Sequence, residues 1–152
     1  MDTSAGLILL KDKKILLVHP TNAPWYGRHS IPKGLQESKE ELEKTSIREV
    51  AEEVGINITL EDIQTDYNYD KSGYVDYKPS KFSLLSNKVY KRVWYYIVDV
   101  NSKNLPDVLS KTQLQLTEVD DARFYNYTDA KKRIFWRMKG VLKNLKKWDL
   151  IN

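Results

Sequence analysis

GLQESKEELEKTSIREVAEEVGI, residues 34–56, places three carboxylates on one side of a helix beside a glycine turn. It contains Gly34, Glu40, Arg48, Glu49, Glu52, Glu53 and Gly55, with apolar Val50 and Ile56 set among them. The periodicity predicts a helix over 39–54. In it Glu49, Glu52 and Glu53 stand at i, i+3 and i+4 and face the same way. Ile47, Val50, Ala51 and Val54 form an apolar stripe on roughly the opposite side. Ser38 with Glu41 reads as a capping box, and Gly55 falls where a left-handed C-terminal residue is expected.

Three glutamates within one turn repel one another, and a purely structural helix gains nothing from that crowding. A hard divalent cation resolves the conflict: magnesium or manganese takes oxygen ligands and is commonly shared between carboxylates and substrate phosphates. The expected substrate is a phosphoanhydride attacked by water at phosphorus. Without the cation, at least one of the coupled carboxylates should titrate at raised pH. A Glu-rich helix is most often a solvated face, and Arg48, four residues before Glu52, could be an ordinary surface ion pair of little worth. The flanking glycines weigh against the bland reading.

The chain has 152 residues, which suits one domain with one core. Linkers, low-complexity tracts, 20- to 50-residue repeats and membrane-length apolar runs are not evident. Cysteine is absent, so disulfides and thiolate metal sites are excluded and a cytoplasmic setting is the default. Only two histidines occur, too few for a histidine metal site. His29, just ahead of Pro32-Lys33-Gly34, reads either as a group approaching substrate phosphate or as a surface loop residue. Net charge is +4 despite the acidic helix, because residues 131–147, KKRIFWRMKGVLKNLKK, carry eight Lys or Arg. That segment reads as an amphipathic helix with Ile134, Met138, Val141 and Leu145 on its docked side, in preference to an RNA or membrane contact. Its basic face could also steer polyanionic substrates.

Along the chain, 5–10 and 15–19 are apolar runs flanking KDKK, suggesting a strand pair or a strand and its continuation. The loop PTNAPWYGRHS carries Trp25 and Tyr26 toward the 34–56 stretch. A strand is expected within 57–69 after a turn near Glu61-Asp62, and a long hairpin or loop over 71–88. Residues 89–100, VYKRVWYYIVDV, form the best strand candidate and are expected near the sheet centre. Strand-like runs 114–118 and 122–125 bracket Asp120-Asp121, before a C-terminal helix capped at Thr128. Strands separated by two long helices indicate a mixed α/β layer fold.

The 34–56 stretch resembles the Nudix box, and with its surroundings the chain resembles the Nudix hydrolases. The resemblance implies an α/β/α sandwich with a mixed β-sheet and hydrolysis of a nucleoside diphosphate linked to another group. It implies Mg²⁺ or Mn²⁺ held by Glu49, Glu52 and Glu53 with the backbone carbonyl of Lys33, Arg48 orienting a catalytic glutamate, and Glu40 supporting the loop and Arg48. A later family glutamate stands six residues before an aromatic residue. Glu118 precedes Phe124 by six and inherits that role, as metal ligand or general base, with Asp120 and Asp121 as rivals and Glu49 as the other candidate base.

Substrate choice rests on further likenesses. Pro32-Lys33-Gly34 resembles the entry of dinucleoside polyphosphate hydrolases and diphosphoinositol polyphosphate phosphohydrolases, and KRVWYYIVDV resembles a strand of asymmetric diadenosine tetraphosphate hydrolases. Lys33, Lys91 and Tyr95 would then lie near the polyphosphate, although a strand-edge lysine and a core tyrosine read equally well. Trp25 or Tyr74 would stack a base. Dinucleoside polyphosphates are the expected substrates, with RNA 5′ ends, ADP-ribose and diphosphoinositol polyphosphates as alternatives. A nucleotide-sensing module without catalysis is the alternative outside enzymology. The expected partner is a small nucleotide, not a membrane.

Overall fold

A computed structural model describes residues 2–21, 28–64, 74–77 and 91–152. The strands are β1 (Asp2–Lys11), β2 (Lys14–Pro20), β3 (Lys33–Leu35), β4 (Tyr74–Tyr77), β5 (Lys91–Asp99) and β6 (Val119–Tyr125). The helices are α1 (Leu42–Val54), α2 (Tyr127–Arg133) and α3 (Lys139–Lys147). Sheet order is β4-β5-β1-β2-β6, with β3 also paired to β1. β1 and β5 run parallel while the other pairings are antiparallel, so the sheet is mixed.

β1 is the middle strand, and its sequence says so: Ala5 to Leu10 is apolar except for Gly6, as a strand buried on both faces requires. Ile8, Leu10, Ile15, Leu17, Val93, Tyr95 and Ile97 point to one face, where Ala130, Met138, Val141, Leu142 and Leu145 of the C-terminal helical region cover them. Leu7, Leu9, Leu16 and Val18 point to the other, where Val50 and Val54 of α1 pack. Two cores on opposite faces of one sheet make an α/β/α sandwich.

The strand pair around KDKK is a tight hairpin. Asp12 and Lys13 take φ values of 49° and 59°, the left-handed pair that matches the twist of a two-residue turn. β5 lies near the sheet centre as expected, between the middle strand β1 and β4. The turn expected near Glu61-Asp62 is a short 3₁₀ turn, Leu60–Asp62, and the chain leaving it bridges from Ile63 to Val98. Residues 65–69, and all of 71–88 except β4, lie outside the described residues.

Other boundaries move for physical reasons. α1 begins at Leu42, and the expected Ser38–Glu41 capping box is not formed, since Glu41 is itself the N-cap and makes no side-chain cap. The 114–118 run is not a strand; it follows a 3₁₀ turn, Lys111–Gln113, whose N-cap Ser110 accepts from the Thr112 amide. The C-terminal helix is two helices, and α2 is capped by Asn126 accepting from the Asp129 amide, not by Thr128. The break comes at Ile134–Phe135, where the backbone turns outward to pair with His29: His29 N–H donates to Arg133 and Phe135 N–H to His29. Among the described residues, no helix is long and apolar enough to cross a membrane.

Candidate active site

The acidic face of α1 is fixed from both ends. At its start, the Glu40 carboxylate ties the entering turn to the helix side chains. It accepts from the Glu37 amide at 3.2 Å and the Thr45 hydroxyl at 2.6 Å, and from Arg48 Nε at 2.8 Å and Nη2 at 3.0 Å. The Arg48 hydrogen bond is the chief reason the Glu40 carboxyl is held down to about 2, with Thr45 and the Glu37 amide adding and burial opposing. The same guanidinium donates to the Leu35 carbonyl at 2.9 Å, to Glu49 at 2.9 Å and to Glu52 at 3.3 Å. Arg48 is thereby driven further toward its charged form, first by Glu40. A planar fork serving this many acceptors is a task lysine cannot do.

At the other end, Gly55 adopts φ 67° and its N–H returns to Ala51. Helix-terminal carbonyls need donors, and the 113–118 loop supplies them: Gln113 Nε2 donates to Val54 O at 2.9 Å and Gln115 N–H to Glu53 O at 2.9 Å. Glu118 sits on that loop. The loop is pinned to the end of β2, because Thr21 donates from its amide to Glu118 O at 3.0 Å and from its hydroxyl to Thr117 O at 2.9 Å.

Between these ends the carboxylates meet β3. The Glu49 carboxylate fills the place that a Cβ on Gly34 would take, so only glycine leaves room for it there. Glu53 Oε2 accepts the Lys33 amide at 3.0 Å. Burial pushes Glu53 up, Lys33 opposes, and the charges of Glu49 and Glu118 push it further. Glu49 is also raised, by burial first, against the pull of Arg48. Lys33 is pushed down, by burial and then by the neighbouring Lys91 ammonium, with which its side chain is in hydrogen-bond contact. Lys91 is lowered as well, chiefly by burial.

Among the described residues, no three carboxylate or histidine side chains stand together as a closed metal cluster. Glu49 and Glu52 turn to Arg48, and Glu53 turns to the Lys33 amide. The donor set nevertheless fits a hard dication: it is oxygen-only, and burial together with neighbouring carboxylate charge raises Glu49 and Glu53.

The remaining candidates divide. Tyr95 is only 2% exposed and packs with Val93 and Ile97 in the core beneath α2 and α3, so its ring is a packing element. His29 packs against the rings of His19 and Tyr125. Its Nε2 lies 3.4 Å from the Tyr125 hydroxyl, its ring is 5.2 Å from that of His19, and burial followed by the charge of His19 pushes it down to about 4. A neutral imidazole brings no charge to a phosphate. Trp25 and Tyr26 lie outside the described residues. Tyr74 is described, and stacks 4.8 Å from Trp94 under the Arg92 guanidinium.

Several supports had no sequence signal of their own. Gly6 permits β3 to close on β1, since a Cβ there would strike Pro32 O and Lys33; an isolated glycine in an apolar strand was its one cue. Thr45, buried under Glu40, bonds to a carboxylate five residues away, whereas Gln113 depends on a partner that only the fold brings near.

Comparison with known proteins agrees with this architecture. The family model described as NUDIX domain matches residues 2–145. An Ap4A hydrolase from C. elegans, solved as a binary complex, superposes with TM-score 0.69 at 21% identity, covering 97% of each chain. A bifunctional NMN adenylyltransferase/ADP ribose pyrophosphatase from Francisella tularensis gives 0.68 at 17% identity over 97% of this chain and 41% of that one. The E. coli dihydroneopterin triphosphate pyrophosphohydrolase gives 0.62 at 16% identity over 93% and 92%. No curated protein matches the chain.

Proposed function

Because the chain belongs to the Nudix hydrolase family, a class of enzymes acting on nucleoside-diphosphate-linked substrates, we propose that its substrates are dinucleoside polyphosphates. The observation that carries this choice is the contact between Lys33 and Lys91 beside Glu49 and Glu53. Two ammonium groups held together in a desolvated place repel one another, and a ligand with several adjacent phosphates relieves that repulsion better than a single phosphate does. The likeness to the C. elegans Ap4A hydrolase supports the same choice.

The reaction forms one P–O bond from water and breaks one P–O–P bridge. The proton of the attacking water goes to a carboxylate, Glu118 or Glu49, and the departing nucleotide leaves as a phosphate anion. Glu49, Glu52 and Glu53 with the Lys33 carbonyl would hold Mg²⁺ or Mn²⁺, which neutralises phosphate oxygens and favours attack. Arg48 holds Glu49 and Glu52 in place, and Lys33 and Lys91 bind the polyphosphate.

The test is hydrolysis, with magnesium or manganese, of a panel containing diadenosine tetraphosphate, ADP-ribose, 5′-triphosphorylated RNA and a diphosphoinositol polyphosphate. Preferred turnover of the first is expected; inertness toward it beside cleavage of another would overturn the substrate assignment. Glu53→Gln should lower turnover by roughly 10² or more with folding intact, through lost charge stabilisation. Unchanged turnover would remove Glu53 from the machinery.

A further inference from the structure

Charge is divided between the two helical layers. Residues 127–147 carry eight Lys or Arg against the single Asp129, a balance of +7, while the whole chain carries +4, so everything else together carries −3. α2 and α3 lie on the face of the sheet opposite α1. Their lysines are exposed and, among the described residues, Lys131, Lys132, Lys139, Lys143, Lys146 and Lys147 form no ion pair with a carboxylate. Arg133 pairs with Asp129 at 3.7 Å.

The same face has a groove and one exposed ring. Tyr127, Thr128, Lys131, Lys132 and Lys139 line a groove of about 460 Å³. Lys131 and Lys146 stand 5.9 and 5.6 Å from the Tyr127 ring. In the turn between the helices, Trp136 is 62% exposed, with the Arg137 guanidinium 4.3 Å from its ring. An exposed indole beside so much positive charge suits a ligand that offers both phosphates and flat rings. A lipid surface suits it less, because the apolar stripe of α3, Val141, Leu142 and Leu145, is already spent on the core. A duplex hides its bases, whereas a single strand can stack one on Trp136.

We propose that the α2–α3 face is a docking surface for single-stranded nucleic acid, separate from the carboxylate face of α1. Phosphodiesters run along Lys131, Lys139 and Lys146, and a base stacks on Trp136. The proposal stands whether or not dinucleoside polyphosphates are the substrates.

The test is fluorescence anisotropy with a short labelled RNA ending in a 5′-hydroxyl, which offers no anhydride to cleave, over a salt titration. Each phosphate neutralised contributes about −0.7 to the slope of log affinity on log salt for a single strand. The triple variant Lys131→Glu, Lys139→Glu, Lys146→Glu should therefore bind at least roughly tenfold more weakly, with a slope shallower by about 2. Trp136→Ala should lose roughly tenfold with the slope unchanged. Turnover of whichever nucleotide the wild type cleaves should be unaltered in both, which reports an intact fold; the matching lysine-to-glutamine set replaces the triple variant if it fails to fold. Wild-type levels of RNA binding in the folded triple variant, or no binding by the wild type at low salt, would overturn the proposal. So would equal affinity for a duplex together with an inert Trp136→Ala, or tight binding to phosphatidylserine vesicles that the RNA does not compete away.

Discussion

At the scale of single residues, the contact between Gly34 and Glu49 carries the sharpest expectation. A methyl group on Gly34 would occupy the space of the Glu49 carboxylate. That carboxylate is the far end of a flexible side chain, so it can move aside without unfolding the molecule. Gly34→Ala should therefore leave the urea midpoint close to wild type while turnover falls by about 10², the usual consequence of misplacing a reacting group by an ångström or so. Normal turnover, measured on a variant confirmed as folded, would show that the Glu49 position does not matter. The i, i+3, i+4 spacing of Glu49, Glu52 and Glu53 was legible in the sequence because it depends only on the helix that carries them. The roles of Gln113 and Gly6 were not, because each is defined by a partner far along the chain: Gln113, for example, reaches Val54 across 59 residues, and Gly6 meets Pro32 and Lys33.

At the scale of elements, local signals predicted local structure and failed where tertiary contacts intervened. The two apolar runs around KDKK formed a hairpin, and the Gly55 stop of α1 fell as expected. The capping box failed because α1 starts only at Leu42, which makes Glu41 itself the N-cap. One basic helix became two because the backbone at Ile134–Phe135 pairs with His29. The hairpin turn itself is a site of strain that sequence reading passed over. Both its central residues hold left-handed φ values, yet neither is glycine. Asp12 is suited to that region and its N–H is held by Asn101 Oδ1 at 2.8 Å. Lys13 has no such reason to be there, and its contact with Asp149 at 3.3 Å joins two well-exposed side chains. Lys13→Gly gives the Asp-Gly pair such turns favour and should stabilise the protein by roughly 0.5–1 kcal/mol. Urea unfolding at neutral pH measures this, and a loss of stability would mean that the lysine contact outweighs the backbone strain.

At the scale of the whole molecule, acid stability combines terms of opposite sign. His29 joins the entry segment to β6 and to the break between α2 and α3, and its buried Nδ1 has no hydrogen-bond partner among the described residues. Its pKa is about 4 when folded against 6.5 unfolded. Between those values the unfolded chain binds a proton that the folded protein refuses, so this group makes stability fall as pH drops from 6.5 toward 4 and contributes no slope above that window. Glu49 and Glu53 act the other way: raised in the fold, they bind protons that the unfolded chain lacks, and make stability fall as pH rises above the ordinary glutamate range. Glu40, held down to about 2, adds its loss only below about pH 4.5. The net curve therefore hides the histidine term, and the informative quantity is the difference between wild type and His29→Gln. That difference should shift against the wild type by roughly 2 kcal/mol between pH 7 and pH 5, read from urea unfolding without divalent metal. Parallel curves over that range would mean that His29 is protonated alike in the folded and unfolded states, and that the surroundings built by β6 and Arg133 do not keep the ring neutral.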